Sequence, residues 1–82
     1  MTIPQEPNEE YRDLTAAAIR ELPDQPFSEV LFLESTRFYK LPKQHPEFDK
    51  IVAELRQAIE DKRSLRVWFT PTDAVILRVK EL

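Results

Sequence analysis

The sequence predicts an α+β domain of the form αββ-αββ. A four-stranded, mainly antiparallel sheet would carry two helices on one face. Three observations point there. Tyr11–Leu41 matches Phe48–Arg78 at a constant offset of 37 residues, so Tyr11 aligns with Phe48, Leu14 with Ile51, Ala18 with Leu55 and Leu22 with Ile59. Phe48, Ile51, Val52, Leu55 and Ile59 make an apolar stripe at helical spacing. Leu65 to Thr70 alternates apolar and polar residues, as a half-buried strand does. A small, partly open β-barrel curled around the second helix is the alternative fold. The offset match fits a true duplication, and it fits two similar units of separate origin.

The elements follow in order. Residues 1–7 hold two prolines and no period, and read as a lead-in to a single domain over residues 8–82. Asn8 suits a helix N-cap, with Glu9 and Glu10 in the first turn. Tyr11, Leu14, Thr15, Ala18 and Leu22 then lie on one helical face, and the run Ala16-Ala17-Ala18 has high helix propensity. Pro23 ends this first helix. Glu29 to Leu41 is rich in strand formers broken by Glu34-Ser35-Thr36, which reads as a hairpin, although one long strand also fits. Pro42 stops it.

Pro46 suits the first position of the second helix, which ends near Lys62-Arg63. Leu65, Val67 and Phe69 then face the helices, while Arg66, Trp68 and Thr70 face outward. Pro71-Thr72-Asp73 is a turn. In the last strand, Val75, Leu77 and Val79 are expected inward and Ile76, Arg78 and Lys80 outward. Leu55 to Phe69 resembles the helix-into-strand passage of WYL-type ligand-sensing domains, and no residue role is carried over from that resemblance.

Composition narrows the function. The chain contains no glycine, so a phosphate-cradling loop, a dinucleotide fingerprint and a glycine-based nucleophile elbow are absent. It contains no cysteine, which removes thiolate metal sites and disulfides and favours a reducing, cytoplasmic location. No apolar run reaches the ~20 residues a membrane span needs. Met1–Glu34 carries eight carboxylates against two arginines, whereas Ser35–Leu82 carries ten basic residues against seven acidic ones. Such polarity can orient a partner.

Candidate sites are few. His45 is the only histidine and has no companion ligand or nucleophile nearby in sequence, so a capping or solvent role is expected. No catalytic, metal or cofactor site is predicted, and the chain is read as a non-catalytic protein. The best binding candidate is the outward face of the last hairpin: Arg66, Trp68, Arg78 and Lys80, extended by Arg37 and Tyr39. Tryptophan, tyrosine and arginine are the residues enriched at binding hot spots. That composition predicts a protein-interaction module, either a homodimer or an accessory or regulatory subunit. The alternative is a single-stranded nucleic-acid-binding domain, because bases stack on aromatic rings and phosphates pair with cations.

Overall fold

The computed structural model describes residues 9–82. The expected lead-in and the Asn8 cap lie outside the described residues. Five strands and one helix follow in the order β1 (Glu10–Arg20), β2 (Phe27–Phe32), β3 (Phe38–Pro42), α1 (Phe48–Asp61), β4 (Ser64–Thr70) and β5 (Val75–Glu81). The strands close into a barrel in the order β1-β2-β3-β5-β4, with β4 returning to β1. All neighbours are antiparallel except β3 and β5. This is a five-stranded Greek-key barrel of the OB kind.

The expected four-stranded sheet with two helices is therefore corrected to a mixed five-stranded barrel with one helix. The difference lies in Tyr11–Leu22, expected as a helix: Tyr11–Arg20 belongs to strand β1 and Leu22 lies beyond it. Alanine-rich sequence favours helix by only a few tenths of a kcal/mol per residue, and tertiary pairing overrides it. Here β1 is paired on both sides: Glu10–Thr15 runs against β4, and Ala16–Arg20 against β2. Leu14 and Ala16 point inward at strand spacing. A bulge between Ala16 and Ala18 then inserts Ala17, so the next inward residue is Ile19, three positions on. That stretched interval mimics a helical stripe. The bulge also bends β1 so that one strand can serve two neighbours of a closed barrel.

Glu34 secures this bend. Its carboxylate accepts hydrogen bonds from the Thr15 amide (2.7 Å) and the Thr15 hydroxyl (2.7 Å). The Thr15 hydroxyl hydrogen is thereby committed, so Ser64 Oγ donates to Thr15 Oγ1 at 2.9 Å. Burial is the largest single influence on Glu34 and pushes its carboxyl up. The hydrogen bonds from Thr15 and from its own amide, with Arg12 nearby, outweigh it, and the net shift is downward.

The Glu29–Leu41 segment is a hairpin, with Val30 opposite Tyr39. The single helix buries Ile51, Leu55 and Ala58 into the same core as the inward strand residues Leu14, Val30, Leu41, Leu65 and Val67. It packs against β1 and β5 outside the strands, so they do not curl around it. Pro46 precedes the helix, whose N-cap is Glu47. Its C-cap, Lys62, takes the left-handed conformation at φ 56° that glycine would otherwise supply.

A second bulge corrects the reading of β5. Trp68 pairs with Arg78 and Phe69 with Ile76, leaving Leu77 as an extra residue. Ile76 is consequently inside, at 0% exposure, and was expected outside. The β3–β5 seam is short, with Lys40 opposite Val75 as its one paired position and the Lys40 amide donating to Ala74 O at 2.8 Å. Two residues later β3 reaches Pro42, which has no amide hydrogen to donate.

Candidate functional site: an aromatic and cationic face on three strands

The register of β1, β4 and β5 sets two rows across the outside of the barrel. Tyr11, Trp68 and Arg78 stand side by side in one; Asp13, Arg66 and Lys80 form the next. Alternation puts Leu65, Val67 and Phe69 in the core, and so puts Arg66 and Trp68 outside. The Arg78 guanidinium lies over the Trp68 ring at 4.1 Å. The Arg66 guanidinium lies over Tyr11 at 4.8 Å, and the Tyr11 and Trp68 rings are 6.0 Å apart, tilted by 45°. The four side chains thus interleave aromatic faces with cations.

Arg66 is fixed twice. Its Nε donates to Asp13 Oδ1 at 2.8 Å and its Nη2 to Asp13 Oδ2 at 3.2 Å. These hydrogen bonds hold the Asp13 carboxyl below its usual range and raise Arg66. Arg78 and Lys80 have no ion-pair partner among the described residues. The face therefore offers two unneutralised cations beside an aromatic pair.

Of the six residues singled out from the sequence, Arg66, Trp68, Arg78 and Lys80 come together. Arg37 lies apart, where its Nη2 donates to Thr72 O at 3.3 Å and links the β2–β3 and β4–β5 turns. Tyr39 is inside the barrel, 1% exposed, with edge-to-face contacts to Phe32 and Phe69 at 5.1 and 5.2 Å. It is not part of the face. Tyr11 was missed because its segment reads as helix; strand alternation between Asp13 and Tyr11 is the signal that would have found it.

A second outward face, on β2 and β3, was also missed. Lys40 lies over Phe27 at 5.5 Å, and Arg20 lies over Phe38 at 5.7 Å and within 3.3 Å of Glu29. Phe38 is 46% exposed, because the phase of β3 places Tyr39 inside. A groove of about 390 Å³ runs between Ala16, Ala17, Leu33, Ile59 and Lys62.

His45 is structural. Its Nδ1 accepts from the Glu47 amide at 2.9 Å, which leaves Nε2 as the donor to Leu77 O at 2.7 Å. The ring thereby ties the turn before α1 to the bulge carbonyl of β5. Among the described residues, no group of three His, Asp or Glu side chains gathers as a metal site would require, and no helix is long and apolar enough to cross a membrane.

No family model and no curated protein sequence matches the chain. Two solved structures do match: the crystal structure of pro-protein-glutaminase, and that of a mutant of the same protein. Both give a TM-score of 0.72 at 20% sequence identity, over 88% and 89% of this chain. The chain spans 26% of the length of each. This likeness establishes the fold. The expectation that the chain is not an enzyme, and the non-catalytic part of the functional reading, are corrected: neither is supported, since both similar structures carry the name of an enzyme, pro-protein-glutaminase.

Proposed function

We propose that this barrel is a polypeptide-binding element of a protein-glutaminase-type system. It would grip a protein chain with Tyr11, Arg66, Trp68, Arg78 and Lys80. The observation that carries the reading is the cross-strand row Tyr11–Trp68–Arg78, with Arg78 stacked 4.1 Å over the indole. Core packing explains the inward residues of β1, β4 and β5 and leaves this row unexplained. Aromatic and arginine side chains held on rigid strands suit a protein hot spot, since little side-chain freedom remains to be lost on binding.

The similar structures are, by name, those of an enzyme that acts on protein, and such a system needs a surface that holds polypeptide. Single-stranded nucleic acid is favoured less. Arg78 already covers one face of Trp68, and the net charge of −3 opposes phosphate binding.

The test immobilises the full chain and measures binding of casein and of protein-glutaminase, with wild type and with Trp68→Ala and Arg78→Ala. Circular dichroism confirms that each variant is folded. Wild type is expected to bind one of the two proteins, and Trp68→Ala at least about tenfold more weakly, which corresponds to about 1.4 kcal/mol. Equal binding by wild type and Trp68→Ala would overturn the reading. Quenching of Trp68 by a mixed-sequence oligonucleotide, strong at low salt and lost at high salt, would transfer the face to nucleic acid.

A further inference from the structure

The β3–β5 seam closes the barrel at one end only. Lys40 pairs with Val75, Pro42 ends the ladder, and His45 takes the carbonyl of Leu77. Beyond Leu77, no strand among the described residues pairs with the second edge of β5. Arg78–Glu81 is thus a free edge about 13 Å long at the usual rise per residue. An unpaired strand edge offers amide hydrogens and carbonyls to another extended chain.

We propose that this edge binds an extended acidic peptide segment by strand addition. The inference rests on the polypeptide-binding reading and names the partner class of the same face. Charge selects the partner. Arg78 and Lys80 point outward along the edge and have no ion-pair partner among the described residues, whereas Arg66 is neutralised by Asp13 and Glu81 is engaged by Arg63 at 3.6 Å. Val79, between them, packs against the core. A fitting segment alternates a carboxylate opposite Arg78, an apolar residue opposite Val79 and a carboxylate opposite Lys80. A second copy of this edge does not fit. Antiparallel self-pairing about Val79 sets Arg78 against Lys80, and like charges directly opposite destabilise a sheet.

The probe is an acetylated, amidated heptapeptide of alternating glutamate and valine, titrated into the full chain by calorimetry. Two further versions carry N-methyl groups on alternate amides, one set each. A strand added to an edge uses only every second amide hydrogen. One methylated set is expected to weaken binding at least about tenfold, and the other to leave it nearly unchanged. Lysine in place of glutamate is expected to abolish it. Binding that tolerates both methylated sets, or no binding by any version, would overturn the edge. If protein binding still depends on Trp68 in that case, the face stands and only the edge falls. If it does not, both fall.

Discussion

Tyr11–Leu22 and Phe48–Ile59 share an apolar pattern at an offset of 37 residues, yet one is mostly strand β1 and the other lies within helix α1. The aligned pairs behave differently. Leu55 is buried in the core, whereas its counterpart Ala18 is exposed on the barrel wall. Leu22 lies beyond the end of β1. In α1 the inward residues Ile51, Leu55 and Ala58 keep one helical phase. In β1 they fall at Leu14, Ala16 and Ile19, strand spacing stretched by one bulged residue. Apolar periodicity names a helix only where the backbone satisfies itself. A segment flanked by two strands able to pair with it has another solution, and β1 takes it. The two halves are therefore not structural duplicates.

The largest test of this comparison removes the core residue from each segment. Leu14→Ala and Leu55→Ala both delete side chains with 0% exposure, and each is expected to cost about 2–5 kcal/mol in urea unfolding. Similar costs would show that strand and helix feed one core. A Leu14→Ala cost near zero would contradict the placement of β1.

A smaller effect separates the two backbones by sign. Ala18 and Ala53 are both exposed, one in β1 and one in α1. Valine fits a pleated strand and crowds a helix. Ala18→Val is expected to stabilise by a few tenths of a kcal/mol up to about 1, and Ala53→Val to destabilise by about 0.5. Thermal melts read both, and the same sign at the two sites would erase the distinction.

The smallest effect concerns the clamp on the β1 bulge. The Glu34 carboxyl is held below its ordinary value of 4.5 in the fold. Its contribution is present above that ordinary value and is lost as pH falls through the lower, folded one. Glu34 is exposed, so the contribution is expected to stay under about 1 kcal/mol. Glu34→Gln should flatten the stability profile in that acidic window and leave its shape at neutral pH unchanged. An unchanged acid slope would remove the carboxylate from the account of the bulge.

Much of the second half was legible. Leu65–Phe69 alternates without interruption, so Arg66 and Trp68 could be placed on the outer face from spacing alone. Arg78 and Lys80 joined them through the hairpin turn at Pro71–Asp73. The helix was legible because its stripe, Phe48 to Ile59, spans about three turns. Three features were hidden. The bulge at Leu77 reversed the expected side of Ile76. The phase of β3 placed Tyr39 inside and Phe38 outside, although both are aromatic and adjacent. Tyr11 was concealed by the helical reading of its strand. Composition and the lone His45 carry no signal about the rest of the structures that the barrel resembles, of which it spans 26%.

By itself, the sequence determined which short-range structures are available. These were a helix opening at Pro46 and ending near Lys62-Arg63, a hairpin around Pro71–Asp73 and an outward row of Arg66 and Trp68. Each depends on neighbours within a few residues. Only the tertiary structure decided that Tyr11–Arg20 is a strand, that two bulges shift its phase and that of β5, and that the strands close into a barrel. Those outcomes depend on hydrogen bonds between segments distant in sequence. Thr15 meets Ser64, Tyr11 meets Trp68, and Lys40 meets Val75. A bulged residue costs one local pairing and is retained for the closure it permits, a balance no local pattern records.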